Sequence, residues 1–276
     1  MKKILFFETD EFTGATRVTH TLAKIAKKNN IVAFAKIGNN VRREIESAIE
    51  YSKPDILFSS FIRINPDVIE IGKQRGLYVA IRNDYNLNDV SEVVRMRAVT
   101  TYPMADVIIA QTEDMRRQIL QSVDIDTFRV KVVDNPLDTE DIQEKISVPN
   151  PFNNNNFHFL WIGRKDPIKD LPTLQTAFEL VHYRYPNTDL TFISEDPNPY
   201  RWMKYADCLV ISSLSEASPN VLREALYIGT PVISTDCSQT VRQLLPPHNI
   251  VPVHEPCAMA EAMKRMVELK GKGTDD

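Results

Sequence analysis

The sequence has few cysteines and no long apolar run. Its 276 residues include only 3 cysteines, Cys208, Cys237 and Cys257, which have neither metal-site spacing nor the even number of a disulfide framework. A reducing compartment is therefore the simplest environment for the chain. No apolar stretch approaches the ~18–20 residues of a membrane span, and Glu8 and Asp10 interrupt the first apolar run. We predict no signal peptide and a cytoplasmic protein.

The chain also lacks a basic footprint. The formal net charge is −4 and the pI is about 5.8, which argues against a nucleic-acid partner. A hydrophobic content of 43% and a charged content of 25% are ordinary for a soluble globular protein. The part before Asn135 is mildly basic, so contact between the N-terminal domain and an anionic acceptor or the inner membrane face is permitted.

Short apolar segments alternate with helical patterns along the chain, which indicates parallel sheets with helices on both faces. We predict strands at residues 4–7, 31–34, 55–58, 78–81, 107–110, 130–133, 157–162, 190–193, 208–211 and 232–235. Two prolines and four consecutive asparagines in residues 148–156 predict a linker. The predicted domains are therefore residues 1–147 and 157–276, both Rossmann-like.

The stretch from Ala206 to Asp236 has the most informative local pattern. We predict that Ser218 is the N-cap of a helix and that Pro219 is its first residue. This helix extends from Asn220 to Ile228 and ends at a glycine. The N–H groups of Asn220 and Val221 then lie at the helix start, where they suit a phosphate group.

Two glutamates bracket this helix start. Glu216 precedes the helix and Glu224 lies inside it, eight positions later. A carboxylate can accept hydrogen bonds from two hydroxyls, which suits ribose and sugar recognition. The alternative is that each glutamate is a solvated residue or a partner of the helix dipole.

The segment S-E-A-S-P-N-V-L-R-E-A-L-Y-I-G-T-P-V-I-S-T-D resembles the E-x7-E region of retaining GT-B glycosyltransferases. It is similar in particular to the family "glycosyl transferases group 1" of the glycogen-synthase-like superfamily. The resemblance implies the GT-B fold, in which two Rossmann-like domains face an interdomain cleft. It also implies that Glu224 binds the ribose hydroxyls of a nucleotide-sugar donor and that Glu216 lies near the donor sugar.

A second motif, W-I-G-R-K-D-P-I-K-D, follows the strand predicted at 157–162. Arg164 and Lys169 flank a loop that can close on a diphosphate, although two solvated cations are the alternative. From Gly163 onward, this motif resembles the family's G-R-x(4–5)-K-G pattern. The resemblance implies that both cations neutralise the leaving diphosphate. Asp170 stands where the family has glycine, a departure expected to alter the loop or weaken phosphate binding.

The N-terminal half departs further from the family. Thr13-Gly14-Ala15 resembles a glycine-rich loop that approaches the donor phosphate, with Thr13 in place of the first glycine. Asn83 stands where relatives often have a histidine, and no general base is assigned. Between residues 162 and 207 only one strand is visible, so the C-terminal domain is expected to be trimmed by about one βα unit.

The resemblance implies a retaining hexosyltransferase that needs neither a metal nor a cofactor. The donor is a nucleotide diphosphate sugar, most simply a UDP- or GDP-sugar, and the acceptor is a hydroxyl of a glycan, a lipid-linked or a cell-surface molecule. No D-x-D motif stands where a metal-dependent transferase needs one. Two alternatives stay open: a degenerate GT-B protein that binds a nucleotide sugar or a partner enzyme without transfer, and an inverting transferase or sugar-nucleotide epimerase of GT-B fold.

Overall fold

A computed structural model describes residues 1–9 and 14–272 of the chain. It divides into two compact units, one ending at Leu137 and the other beginning at Asp138. Each unit consists of a parallel sheet and the helices that connect its strands. The predicted α/β class with two Rossmann-like domains is confirmed.

The N-terminal unit contains a six-stranded sheet in the order β2-β1-β3-β4-β5-β6. Its strands are β1 (Lys3–Thr9), β2 (Ile31–Ile37), β3 (Ile56–Ser59), β4 (Tyr78–Arg82), β5 (Val107–Ala110) and β6 (Val130–Val132). Its helices are α1 (Gly14–Ala26), α2 (Val41–Ser52), α3 (Asn65–Gln74), α4 (Glu92–Thr101) and α5 (Glu113–Ser122). The central strands are buried because helices cover both faces, and side chains such as Leu57, Val79 and Ile108 have no exposed surface.

The C-terminal unit contains a five-stranded sheet in the order β11-β10-β9-β7-β8. Its strands are β7 (Phe157–Ile162), β8 (Thr188–Ile193), β9 (Cys208–Ile211), β10 (Val232–Thr235) and β11 (Ile250–Val251). Its helices are α6 (Thr139–Lys145), α7 (Leu171–Arg184), α8 (Tyr200–Tyr205), α9 (Asn220–Ile228), α10 (Gln239–Leu244) and α11 (Pro256–Lys272). A core of Phe159, Trp161, Leu174 and Met263 joins β7 to α7 and α11. Along the sequence, β8 is the one strand between β7 and β9, as predicted, and residues 163–207 are all described.

The division between the units falls earlier than the predicted boundary at residue 147. Helix α6 was not predicted, because its seven residues bury only Ile142. It belongs to the C-terminal unit, where Asn198 and Lys204 donate to the carbonyls of Lys145 and Ile146 at 2.8 and 3.1 Å. Residues 148–156 are also part of this unit and not a separate linker.

Candidate functional site

The carboxyl ends of β7 and β9 form the candidate site. The chain proceeds outward from β7 to β8 and then returns to β9 on the other side of β7, so β7 and β9 flank a topological switch point. Ligands of open α/β sheets bind at such points, outside the carboxyl ends of the strands. A cavity of about 10 Å³, the size of roughly one water, lies here; Lys169, Ser213, Glu216 and Val221 are among its lining residues.

An ion pair joins the two loops at this point. The Nζ atom of Lys169 contacts Oε1 of Glu216, and the Ser213 hydroxyl donates to the same oxygen at 2.8 Å. The side chains of Lys169 and Glu216 are 21% and 18% exposed. The structure therefore brings together two of the three predicted catalytic residues and keeps both accessible to solvent.

Hydrogen bonds hold the loop after β7 in place. The amide of Gly163 donates to Ile193 at 3.0 Å, and the carbonyl of Lys169 accepts from the Ser212 hydroxyl at 2.6 Å. A Cβ atom on Gly163 would lie 3.2 Å from two ring carbons of Trp161, which explains the glycine at this position. Lys169 is thus fixed at its backbone as well as at its side chain.

Asp170 occupies the position where the family pattern has glycine. Its φ of 43° lies in the left-handed region that glycine adopts without strain. The side chain is buried and accepts hydrogen bonds from the Thr173 hydroxyl at 2.7 Å and from Nδ1 of His254 at 2.8 Å. Burial raises the pKa of Asp170, but these hydrogen bonds lower it by a larger amount. The pKa of the carboxyl group therefore lies below its ordinary value. The substitution therefore keeps the backbone conformation and adds two side-chain contacts.

The start of α9 differs by one residue from the prediction. Pro219 is the N-cap, with φ −68° and ψ 113°, and Ser218 is not. The Ser218 hydroxyl is buried and instead accepts a hydrogen bond from Thr240 at 3.1 Å. Asn220 and Val221 remain the first two helical residues, whose N–H groups precede the intrahelical ladder. Gly229 ends the helix with φ 93°, as predicted.

The other predicted residues differ in exposure and in the unit to which they belong. Arg164 is exposed in the loop after β7 and is not among the residues lining the cavity, in the part of the chain that is described. Glu224 is 4% exposed on α9. Gly14 begins α1 in the N-terminal unit, while Thr13 lies outside the described residues. The roles predicted for these residues stay predictions.

Sequence reasoning missed the hydroxyls and the cysteine beneath the ion pair. Besides Ser212 and Ser213, the Thr235 hydroxyl donates to the Ser213 carbonyl at 2.5 Å, and the Glu216 amide donates to the Cys237 carbonyl at 2.9 Å. Burial raises the pKa of the Cys237 thiol to about 11, and the charge of Glu216 raises it too. Two adjacent serines after a buried strand were the available signal.

The carboxyl end of the N-terminal sheet carries a buried polar network. Asn83 has no exposed surface; its Oδ1 accepts from the Tyr102 hydroxyl at 2.5 Å, and its carbonyl accepts from Gln111 at 2.6 Å. Arg82, which is 3% exposed, donates to Oδ1 of Asn135. Burial lowers the pKa of Arg82 to about 10, against the opposing charge of Asp84. Asn83 is thus held in the interior, where it packs and bonds as a structural residue.

Comparison with known proteins places this architecture. Residues 141–268 match the profile of the family "Glycosyl transferases group 1". An uncharacterized glycosyltransferase of Methanocaldococcus jannaschii is 26% identical over 248 residues, covering 74% of this chain and 61% of the relative. A second relative, from Campylobacter jejuni, is the N-acetylgalactosamine-N,N'-diacetylbacillosaminyl-diphospho-undecaprenol 4-alpha-N-acetylgalactosaminyltransferase. It is 24% identical over 214 residues, covering 67% of this chain and 57% of the relative.

The same fold has been solved before. HepE of Anabaena in complex with UDP and glucose superposes with a TM-score of 0.81 and 15% identity, covering 99% of this chain and 91% of that one. The chain spans about three fifths of the length of the two curated relatives. Among the helices of the described residues, none is long and apolar enough to cross a bilayer.

Proposed function

Because the C-terminal unit belongs to the group 1 glycosyltransferases and the two units have the GT-B fold, we propose that this chain transfers a sugar from a nucleotide diphosphate sugar to a hydroxyl. The observation that carries the proposal is the Lys169–Glu216 pair beside the start of α9 at the switch point of the sheet. A partly exposed cation and helix N–H groups at one edge of the sheet suit a diphosphate.

The leaving group determines what the site must do. When the bond between C1 of the sugar and the diphosphate breaks, negative charge develops on the phosphate oxygens. Lys169, Arg164 and the N–H groups of Asn220 and Val221 would stabilise that charge, usually the largest catalytic contribution. The acceptor oxygen forms the new bond to C1 on the same face, and its proton passes to the leaving phosphate oxygen. This route gives retention and assigns no protein side chain as the base.

The ion pair suggests how the donor is received. Lys169 contacts Glu216 across the two loops, and a diphosphate competes for the same ammonium group. If Lys169 turns to the phosphate, the Glu216 carboxylate becomes available to the sugar hydroxyls. Glu224 would hold the ribose hydroxyls, as the family resemblance implies.

Two relatives suggest which substrates to try first. HepE was solved with UDP and glucose, so UDP is the first nucleotide to test, with GDP next. The Campylobacter transferase is named for a diphospho-undecaprenol acceptor, so a lipid-linked acceptor is the first to test. We propose that the reaction requires no metal, since the sequence has no D-x-D motif where a metal-dependent transferase needs one.

Calorimetric titration tests the donor site. UDP, GDP and ADP, and then their sugar conjugates, are titrated with a chelator present. We expect one nucleotide to bind and Glu224→Gln to weaken it about 10- to 100-fold, the loss of a charged hydrogen bond. Glu179→Gln, an exposed glutamate on α7, is the matched control and should bind as the wild type.

Two further measurements separate enzyme from binder. Hydrolysis of the bound donor, followed by NMR, shows whether the bond to C1 is broken, and the anomeric configuration of the product reports retention. Arg164→Glu should reduce binding more than Arg242→Glu, since Arg164 belongs to the loop after β7 that carries Lys169, whereas Arg242 lies on α10. Binding without hydrolysis or transfer would instead support a protein that holds a nucleotide sugar, and binding of no nucleotide would contradict the site itself.

A further inference from the structure

A second cavity lies beside the edge strand β8 of the C-terminal sheet, near the amino ends of β7 and β8. Its volume is about 510 Å³, and it lies beside the first residues of β8 and the segment that precedes β7. Residues Thr188 to Thr191 and His158 line it from the strands, whereas the candidate site described above follows the other end of β7. The two sites are therefore separated by the length of β7.

The sheet topology explains why this cavity exists. A doubly wound sheet usually has a third strand beyond the second one. Here β8 is the second strand of its unit and forms the edge of the sheet in the described chain. Among the described residues, no further strand pairs with the outer edge of β8. Residues 151–154 and side chains of the helices α7 and α8 line the space beside it.

Aromatic rings form a rigid wall of the cavity. Phe152 stacks on His158 with ring centroids 3.9 Å apart and 11° between the planes, and it meets Trp202 edge-on at 5.5 Å. Phe178 lines the cavity from α7. These contacts fix Phe152 although it lies in a loop, so the apolar surface is formed before any ligand arrives.

Polar groups form the rest of the lining. Oδ2 of Asp189 accepts from the amides of Asn154 and Asn156 at 2.9 and 3.1 Å. Nδ1 of His158 is buried without a hydrogen bond, 3.6 Å from the same oxygen, and the His158 residue is 6% exposed. The hydroxyl residue Thr191 adds a further polar group. The cavity thus combines flat apolar surfaces with acceptors and donors.

The charge of the lining restricts the ligand. Of the described residues that line the cavity, none is lysine or arginine, and Asp189 is the acidic one. A phosphate or carboxylate ligand would face this carboxylate without a lysine or arginine to offset the repulsion. A lipid chain would instead place the charged carboxylate of Asp189 against hydrocarbon, which is costly. A neutral ring that has apolar faces and hydroxyl edges fits both requirements.

We propose that this cavity binds a neutral pyranose saccharide, as a second carbohydrate site separate from the donor site. The rings of Phe152 and Trp202 take an apolar face of the sugar, and Asp189 and Thr191 accept its hydroxyls. This proposal does not rest on the transfer activity, because the lining residues are different from those of the donor site.

Ligand-observed NMR on the full chain tests the proposal. Methyl glycosides of glucose, galactose and N-acetylglucosamine serve as probes, with glucuronate as the anionic comparison, in the presence and absence of UDP. We expect saturation transfer to at least one neutral glycoside, unchanged by UDP and by Glu224→Gln, and weaker transfer to glucuronate. We also expect glycoside binding to change the tryptophan fluorescence, because Trp202 lines the cavity whereas Trp161, the other tryptophan, is 2% exposed. This fluorescence change should therefore disappear in Trp202→Phe.

Matched variants identify the cavity. Asp189→Asn and Thr191→Val should each weaken binding of the glycoside at least fivefold. Glu195→Gln, at an exposed glutamate that follows β8, should leave this affinity unchanged. Circular dichroism verifies that each variant is folded, and Thr191→Val keeps the test valid if Asp189→Asn unfolds. The proposal would be overturned if no neutral glycoside shows saturation transfer, if glucuronate shows equal saturation transfer, or if the glycoside affinity is unchanged in both variants.

Discussion

The carboxyl ends of the two sheets use similar polar residues in different ways. In the C-terminal unit, Lys169 and Glu216 pair where about a fifth of each side chain is exposed. In the N-terminal unit, Arg82 and Asn83 are 3% and 0% exposed, and they bond to Asn135, Tyr102 and Gln111. A partly exposed charge can exchange its partner for a ligand, whereas a buried network is committed to the fold. Mutations at the first edge should therefore change activity, and mutations at the second should change stability.

The largest expected effect is on activity in Lys169→Ala. Removing a donor that stabilises developing charge costs about 100- to 1000-fold in turnover. The free energy of unfolding should fall by only on the order of 1–2 kcal/mol, because the pair is partly exposed. Turnover of the donor identified by calorimetry, together with urea denaturation, measures both quantities.

Lys165 provides the control for Lys169. It is exposed in the same loop, and Lys165→Ala should keep nearly full turnover. If both variants lose the same activity, the loop acts only through its general positive charge and the specific role of the Lys169–Glu216 pair is contradicted.

Asn135→Ala should produce the largest loss of stability. The buried guanidinium of Arg82 then loses the acceptor Asn135 Oδ1, and Gln111 loses the Asn135 amide that donates to it at 3.1 Å. An unpaired buried charge costs about 2–4 kcal/mol. Both tryptophans, Trp161 and Trp202, lie in the C-terminal unit, so circular dichroism should register this loss more strongly than tryptophan fluorescence.

The matched variant for this network is Asn39→Ala, since Asn39 is exposed before α2. It should unfold at the wild-type urea concentration. An equally stable Asn135→Ala protein would show that the network is dispensable for the fold, and the contrast between the two edges would no longer hold.

Tyr102→Phe tests a single hydroxyl group of the same network. The substitution removes the hydroxyl that donates to Asn83 and accepts from Asn65 at 3.4 Å. We expect a loss of about 1 kcal/mol in the free energy of unfolding and unchanged donor binding. Tyr51→Phe, at a residue that is 93% exposed, should change neither quantity. Weakened donor binding in Tyr102→Phe at unchanged stability would assign the network a role in function.

Hydrophobic periodicity predicted the longer strands and helices. The family resemblance singled out Lys169 and Glu216, whose side chains the structure pairs, while their roles stay predictions. Periodicity failed for the two-residue β11 and for α6 and α10, which are too short to repeat an apolar pattern. The Ser218 prediction failed because Pro219 takes the N-cap position and Thr240, distant in sequence, claims the serine hydroxyl. Residue types also did not indicate that Arg82 and Asn83 are buried, since such residues are mostly exposed. Those outcomes depend on contacts that only the folded chain brings together.

The smallest expected effect is a pH-dependent change in the free energy of unfolding of Asp170→Asn. Asp170 combines features of both sites, because it is buried but lies next to the exposed loop after β7. Hydrogen bonds from Thr173 and His254 hold its pKa below the ordinary value in the folded state. A carboxyl group with a depressed folded pKa stabilises the fold above its unfolded pKa, and this contribution is lost as the pH falls through the folded pKa. The wild type should therefore exceed Asp170→Asn in stability by up to about 1 kcal/mol at pH 7, and the difference should shrink below pH ~4. Asp170→Gly, which tolerates the positive φ, separates the side-chain contacts from backbone strain. A difference that stays constant from pH 7 to pH 2 would show that the carboxylate charge is not what stabilises this turn.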